Sequence, residues 1–199
     1  MGANPYLTDA ERSILEHAVV GIAGAGGLGS NCALHLVRAG VRRFVICDFD
    51  VVSAANLNRQ FYFRDQIGQK KIVALAVNLR RIEPDLDLDL RDIRVDAAHA
   101  ADIFRTCDIV VEAFDTTDAK MALLGALLPR ERTIVAASGI AGWGRSGDLI
   151  VRRIGRNLVM VGDGERGIAP ACPPQAPRVA LAAALQANAV VSELLGCEL

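Results

Sequence analysis

The sequence predicts an α/β fold built on a doubly wound, mostly parallel sheet with antiparallel strands at one edge. Apolar segments of strand length alternate with longer amphipathic segments, which is typical of βαβ units. A glycine-rich turn follows the first apolar segment, and acidic residues follow the second. With 199 residues, of which 52% are hydrophobic, the chain is long enough to bury a sizeable core, and we expect one domain over residues 1–199.

The first half of the chain alternates strand and helix patterns. A first strand is expected at residues 18–23, and a helix follows at 30–39, where Gly40 ends it. A second strand at 43–47 precedes a helix at 69–81. These segments predict the beginning of a parallel sheet.

The second half continues this alternation and then changes. Pro84 cannot extend the preceding helix, and alternating Leu and Asp residues at 86–93 predict a half-exposed strand. Residues 109–113 are expected to form a continuous apolar strand at the centre of the sheet. Beyond it we expect a helix at 119–128, a strand at 133–137, two short strands near a sheet edge at 149–153 and 158–161, a long loop at 162–177 and a closing helix at 179–195.

Composition and charge exclude several classes of protein. The formal net charge of -1 provides no basic field that would attract nucleic acid or anionic membranes. No apolar run approaches membrane-spanning length, and residues 1–12 carry no secretory signal. The five cysteines include no CxxC pair, so we expect no zinc site, and their odd number fits a reducing compartment. We therefore predict a cytoplasmic protein that binds neither nucleic acid nor membrane.

The glycine-rich turn is the most informative motif. It contains Gly24, Gly26, Gly27 and Gly29. Glycines let the backbone approach a phosphate closely, and the helix that follows offers unpaired N–H groups at its N-terminus. Asp48, at the end of the second strand, can hydrogen-bond ribose hydroxyls. Alone, this spacing indicates a dinucleotide site of the Rossmann-like kind.

Further polar residues follow the predicted strands. Asn56, Arg59 and Gln60 lie in one run, Lys71 opens the next helix, and Asp115 follows the predicted central strand. Ligands of doubly wound sheets bind beyond the carboxyl ends of the strands, so we expect these residues to converge on one crevice. Two cations and a carboxylate suited to Mg²⁺ fit a triphosphate better than a nicotinamide dinucleotide.

These motifs resemble the ThiF/MoeB/HesA family of ATP-dependent enzymes, which are related to ubiquitin-activating enzymes. The similarity covers residues 19–142 and 176–195. It implies ATP-dependent adenylation of the C-terminal glycine carboxylate of a small ubiquitin-like sulfur carrier protein, with release of pyrophosphate. A likeness to the short form of ThiF points to the carrier ThiS of thiamine biosynthesis.

The resemblance also implies a role for each site residue. Asp48 would bind the ribose of ATP, and Asp115 would hold Mg²⁺. Because the attacking carboxylate is already ionised, Arg59, Lys71 and Asp115 with Mg²⁺ would suffice for catalysis by positioning the reactants and neutralising charge. The remaining predicted ATP-binding residues are Gly24, Gly26, Gly27, Gly29, Asp50, Asn56 and Gln60.

Several alternatives stay open at the level of sequence. The substrate is ThiS or another carrier such as MoaD, and the competing functions are a nicotinamide-dependent oxidoreductase and a non-catalytic carrier-binding protein. A homodimer and a sulfur donor protein follow from the family alone. Cys172 lies in the loop where longer relatives carry a reactive cysteine, but we interpret it as an incidental loop residue. Taken singly, Asp115 is also a candidate helix N-cap.

Overall fold

The structure is a computed structural model that describes residues 5–199, so the first four residues of the predicted domain lie outside the described residues. Its strands are β1 (Val19–Ala23), β2 (Arg43–Cys47), β3 (Asp87–Arg91), β4 (Ile109–Glu112), β5 (Thr133–Ala137), β6 (Ile150–Ile154) and β7 (Leu158–Gly162). Its α-helices are α1 (Asp9–His17), α2 (Gly27–Ala39), α3 (Lys71–Arg80), α4 (Ala100–Ile103), α5 (Thr117–Leu127) and α6 (Ala176–Leu195).

All seven strands join one sheet in the order β3-β2-β1-β4-β5-β7-β6. Every neighbouring pair is parallel except β6 and β7, which are antiparallel at one edge. The predicted class is therefore confirmed, and β4 occupies the central position expected for it. The strand order reverses between β1 and β4, and in doubly wound sheets this point carries the ligand crevice.

Helices cover both faces of the sheet and give two hydrophobic cores. Alternate residues of β2 show the division, because successive side chains of a strand point to opposite faces. Phe44 and Ile46 belong to the core beneath α1, α2, α3 and α6. Val45 and Cys47 belong to the core beneath α4 and α5, together with Phe104. The parallel strands are thus buried on both sides, as the apolar strand pattern indicates.

Helix α6 is the one helix among residues 5–199 that is long and apolar enough to cross a membrane by length and composition. In the fold it packs along α2 and against β5 and β7. Half of its apolar window is buried there. Its composition is therefore accounted for by its place in the core.

Helix α1 precedes the first predicted strand, in a part of the chain where no element is predicted. Thr8 and Glu11 form a capping box: the Glu11 N–H donates to Thr8 Oγ1 at 3.3 Å, and the Thr8 N–H donates to Glu11 Oε2 at 2.8 Å. Leu15 is buried beneath the helix. The Thr-x-x-Glu spacing is the signal that would have identified this helix.

Three differences in boundary matter for the site. Helix α2 begins at Gly27 rather than at residue 30, because the glycines of the turn form its first turn. Helix α6 begins at Ala176 rather than at 179, since proline is tolerated in the first turn of a helix. The central strand expected at 109–113 ends one residue earlier, as β4 (Ile109–Glu112), and it is not continuously apolar, because it contains Glu112, whose side chain is fully buried.

Candidate active site

The loops that leave β1, β2 and β4 meet at the carboxyl edge of the sheet, where the strand order reverses. Gly24 begins the β1 loop with a φ of 99°, a conformation that side chains other than glycine rarely adopt. A Cβ at this position would lie 2.9 Å from the carbonyl oxygen of Ala113 in the β4 loop. The two loops therefore touch and form the floor of one crevice.

The glycine loop leaves the N-terminus of α2 open toward this crevice. A Cβ at Gly29 would lie 1.8 Å from the Gly24 carbonyl oxygen, and a Cβ at Gly27 would lie 2.9 Å from Val179 Cγ1, so both positions require glycine. Gly26 is the N-cap residue, and no side chain among the described residues caps this helix end. The first N–H groups of a helix lack partners within the helix and favour an anion. The loop thus fits a phosphate group.

Asp48 ties the β2 loop to the glycine loop. Its carboxylate accepts a hydrogen bond from the Ala25 N–H at 2.7 Å and another from the Asp50 N–H at 2.8 Å. Asp48, the residue predicted to bind a ribose, is therefore held in a fixed orientation beside the glycine loop.

Lys71 opens α3 at the same edge. Its Nζ donates to Asp50 Oδ2 at 2.7 Å, and its side chain is only 7% exposed. The hydroxyl of Tyr62 donates to the carbonyl oxygen of Ala25 at 2.7 Å and lies 3.4 Å from that of Lys71. Burial, with the nearby charge of Asp48 and Asp50, raises the pKa of Tyr62, so the hydroxyl stays protonated. Tyr62 is a structural partner of the site that sequence patterns do not reveal.

The run that contains Asn56, Arg59 and Gln60 crosses the start of α2. Asn31 fixes this contact, because its Nδ2 donates to the carbonyl oxygens of Gly27 at 2.6 Å and Arg59 at 2.9 Å. The Cγ of Arg59 lies 3.5 Å from the Cβ position of Gly27. The stem of Arg59 therefore lies beside the start of α2, while its Nη1 donates to the carbonyl oxygen of Ala55 at 3.2 Å and to Asn58 Oδ1 at 2.7 Å.

The other two residues of this run are placed differently. Asn56 Oδ1 accepts a hydrogen bond from the Ser53 N–H at 3.0 Å, so part of its amide stabilises the loop. Gln60 is buried close to Gly26, and its Oε1 has no hydrogen-bond partner among residues 5–199. A buried amide oxygen without a partner costs free energy, and a donor group of a ligand would offset that cost.

Asp115 is exposed in the β4 loop, directly before α5. The N-cap of α5 is Thr116, whose side chain accepts from the Ala119 N–H, so the alternative of Asp115 as a helix cap is wrong. Among residues 5–199, no cluster of three His, Cys, Asp or Glu residues could hold a metal by itself. Mg²⁺ with a nucleotide needs only one or two carboxylates beside the phosphates. The exposed carboxylate of Asp115 fits that requirement.

A buried ion pair between Glu112 and Lys120 lies directly behind this loop. Lys120 Nζ donates to Glu112 Oε2 and, at 2.7 Å, to the carbonyl oxygen of Ala137. The other carboxylate oxygen, Oε1, accepts from the Phe114 N–H at 2.9 Å. Burial raises the pKa of Glu112, against the opposing effect of Lys120. A single acidic residue within an apolar strand is the sequence signal that indicates this pair.

The loops after β5 and β7 reach the same edge and are joined by Arg178. Its Nη1 donates to the carbonyl oxygens of Gly144 at 2.7 Å and Arg145 at 2.9 Å, and its Nη2 pairs with Asp163. Burial alone would raise the pKa of Asp163. Backbone hydrogen bonds from Arg166 and Glu165, with the charge of Arg178, outweigh burial and lower that pKa.

The cysteines of the described residues form no disulfide. Cys32, Cys47 and Cys107 are buried. Burial raises the pKa of Cys47 and of Cys107 to about 12, so both remain thiols at neutral pH. Cys172 is partly buried and packs near Gly142, where an added Cβ would lie 2.9 Å from its Sγ.

The chain is similar in sequence to a family of known proteins. It matches the ThiF family over residues 4–199. Ubiquitin-like modifier-activating enzyme 5 of Drosophila melanogaster is 31% identical over 129 residues, which cover 59% of this chain and 31% of that protein. Adenylyltransferase and sulfurtransferase MOCS3 of Caenorhabditis briggsae is 38% identical over 102 residues, which cover 51% of this chain and 25% of that protein. The chain thus spans less than a third of the length of these curated relatives.

Solved structures share the same fold. The tRNA N6-threonylcarbamoyladenosine dehydratase TcdA of E. coli, in complex with ATP, matches with a TM-score of 0.86 at 19% identity, covering 94% of this chain and 90% of that chain. MccB of E. coli with ATP matches with a TM-score of 0.71 at 20% identity, covering 92% of this chain and 58% of that chain. At these identities the likeness establishes the fold.

Proposed function

Because this chain belongs to the ThiF family, we propose that it uses ATP to adenylate the C-terminal carboxylate of a small ubiquitin-like carrier protein. The observation that carries the proposal is the convergence of the open end of α2, the Lys71–Asp50 pair, Asp48 and the Asp115 loop at one crevice. Such a crevice combines a phosphate cradle, a ribose ligand, cations and a carboxylate for Mg²⁺.

The arrangement supports ATP as the nucleotide. The glycine loop and the N-terminus of α2 would hold phosphate oxygens, and Asp48 would accept hydrogen bonds from the ribose. Arg59 and Lys71 would contact the triphosphate, with Asp50 orienting the ammonium group of Lys71. Mg²⁺, bound by Asp115 and phosphate oxygens, would neutralise charge on the triphosphate. TcdA and MccB, which share the fold, have been solved with ATP.

The reaction requires no side chain to act as a general base. The carrier carboxylate is ionised at neutral pH, and its oxygen would form a bond to the α-phosphorus as the bond from that phosphorus to the leaving oxygen breaks. The products are an acyl-adenylate and pyrophosphate. Catalysis then consists of alignment and of charge neutralisation by Arg59 and Lys71.

We propose ThiS as the carrier and the cytoplasm as the compartment, on the strength of the resemblance to the short form of ThiF. MOCS3, to which part of this chain is similar, is named as an adenylyltransferase and sulfurtransferase, which supports a sulfur carrier as substrate. The family likewise suggests a homodimer and a sulfur donor protein. MoaD and other carriers with a Gly-Gly tail are the alternatives that the experiment must separate.

Carrier-dependent exchange of pyrophosphate into ATP tests this proposal. Wild-type protein should exchange with ThiS and not with MoaD, and Lys71→Ala should lose about 100-fold or more of the activity, because a charge contact to the phosphates is removed. Lys70→Ala is the matched control, since Lys70 is the exposed neighbour of Lys71 and pairs with Asp92 at 3.1 Å. It should keep wild-type exchange.

Each other outcome selects a different function. Exchange with MoaD alone would show that MoaD, and not ThiS, is the substrate. Tight binding of ATP with no exchange for any carrier would indicate the non-catalytic carrier-binding protein. Binding of a nicotinamide dinucleotide in place of ATP would indicate the oxidoreductase.

A further inference from the structure

Glu112 lies at the carboxyl end of the central strand and has no exposed surface. Its side chain therefore has no access to substrate. It nevertheless contacts the loop that carries Asp115, because Oε1 accepts the hydrogen bond of the Phe114 N–H at 2.9 Å. Phe114 is the residue immediately before Asp115, so this bond fixes the backbone from which the Asp115 carboxylate projects.

The ion pair of Glu112 and Lys120 connects three elements of the fold. Lys120 of α5 pairs with Glu112 of β4 and also donates to the carbonyl oxygen of Ala137 at the end of β5. The backbone pairing of β4 with β5 ends at Val111 and Val135. Beyond that point the ion pair replaces the strand ladder and holds the two strand ends and the start of α5 together.

Gln186 of α6 completes this arrangement from the opposite face. Its Nε2 donates to the carbonyl oxygen of Glu112 at 3.0 Å and to that of Val135 at 3.2 Å. Both the backbone and the side chain of Glu112 are thus fixed by named partners. The β4 loop consequently has a rigid base, and its Ala113 carbonyl oxygen is held against the glycine loop.

Stability alone does not account for a buried charge at this position. A buried ion pair adds little net stability over apolar side chains of the same size, because desolvation offsets the attraction between the charges. What an apolar side chain cannot supply is an acceptor for the Phe114 N–H. Glu112 therefore supplies the hydrogen-bond acceptor that anchors the β4 loop at this position.

We propose that Glu112, held by Lys120, is a positioning residue that orients Asp115 toward the Mg²⁺ of bound ATP. This inference rests on the proposed function, since it assumes that Asp115 binds that Mg²⁺. Partners behind a metal ligand change metal affinity by about 10- to 100-fold when they are removed. We call the hydrogen bond from the Phe114 N–H to Glu112 Oε1 the Phe114 tether. Loss of this tether should weaken binding of ATP with Mg²⁺ by about 10- to 100-fold and leave binding of metal-free ATP unchanged.

Two double variants isolate the tether. Glu112→Gln/Lys120→Met and Glu112→Leu/Lys120→Met both remove the ion pair, and both place a neutral side chain of similar size at residue 112. Only the glutamine retains an oxygen that can accept from the Phe114 N–H. Calorimetric titration with ATP, with and without Mg²⁺, should show weakened binding only for the leucine variant and only with Mg²⁺. Asp115→Asn is the reference for the full loss of the metal contact.

The outcomes separate this inference from the proposed function. If Asp115→Asn weakens binding of ATP with Mg²⁺ while the leucine and glutamine variants bind alike, the positioning role is wrong and the function stands. If Asp115→Asn has no effect, both the metal role of Asp115 and the inference are overturned, whereas carrier-dependent exchange still tests the activity. Should the leucine variant fail to fold, Glu112→Met/Lys120→Met keeps an unbranched side chain of similar length without an acceptor oxygen for the Phe114 N–H, and should show the same Mg²⁺-specific loss. Wild-type affinity in that variant would contradict the inference.

Discussion

At the scale of single residues, Tyr62 shows that the candidate site also depends on a buried side chain that no motif identifies. Its side chain is buried, and its hydroxyl joins the glycine loop to the start of α3 through the carbonyl oxygens of Ala25 and Lys71. Because its pKa is raised, the hydroxyl donates at every pH near neutrality. One hydroxyl group thus couples the glycine loop to the segment that carries Lys71.

Removal of this hydroxyl tests that coupling. Tyr62→Phe should lower the free energy of unfolding by about 1–2 kcal/mol, because the carbonyl oxygen of Ala25 loses its donor in a buried place while the ring keeps its packing. Urea unfolding of both proteins at pH 7 measures the difference. Equal midpoints and slopes for the two proteins would show that the bond contributes nothing.

Sequence motifs identify the candidate ligand-binding residues but not the side chains that support them. Asp48 and Lys71 occupy positions defined by local context, the end of a strand and the start of a helix, and the structure brings both to the crevice. Tyr62 acts through Ala25, which is 37 residues earlier in the chain, and Glu112 pairs with Lys120, which lies in the next helix. No local pattern contains that information, although the charge of Glu112 inside an apolar strand marks it as exceptional.

At the scale of elements, the sequence predicts a helix end correctly where one residue terminates the helix, as Gly40 does for α2. Gly40 ends α2 with a φ of 120°, as its position after the apolar pattern indicates. Helices α2 and α6 begin earlier than the sequence predicts, because a glycine turn and a proline both resemble a loop in sequence yet form the first helical turn here. Helix α1 is an element that the hydrophobic pattern does not predict, although its capping box is visible in the sequence.

Two glycine substitutions should have opposite effects on helix stability. Gly40→Ala should destabilise the protein by about 1–2 kcal/mol, because a Cβ disfavours the left-handed conformation at the end of α2. Gly125→Ala, inside α5 where an added Cβ meets no atom within 4 Å, should stabilise it by about 0.5–1 kcal/mol. Thermal unfolding of both variants beside wild type measures the pair. A shift of the same sign in both would contradict the assignment.

At the scale of the whole molecule, the Arg178–Asp163 pair joins α6 to the loops after β5 and β7. Both side chains are almost completely buried, so Asp163→Asn should cost on the order of 3 kcal/mol at pH 7, since it leaves the charge of Arg178 without a partner. The folded state lowers the pKa of Asp163, so its contribution is complete above the ordinary aspartate pKa of about 3.9.

The pH dependence of this difference follows from the direction of that shift. As the pH falls below about 4 and through the lowered pKa, Asp163 is protonated in wild type and its stabilising effect is lost. The stability difference between wild type and Asp163→Asn should therefore shrink on acidification. Urea unfolding of both proteins at pH 7, 5, 4 and 3 measures it. A difference that is constant or that grows toward acid would contradict the role of Asp163.

The contact between Gly24 and Ala113 has a consequence for folding. It joins two parts of the chain that are far apart in sequence, so the crevice closes only after β1 and β4 have paired. A nucleotide that bridges the two loops binds the completed sheet and has no site on the unfolded chain. At a concentration about 100 times its dissociation constant, such a ligand would raise the free energy of unfolding by about 2.7 kcal/mol. Cellular nucleotide levels would then act on the lifetime of this protein as well as on its turnover of substrate.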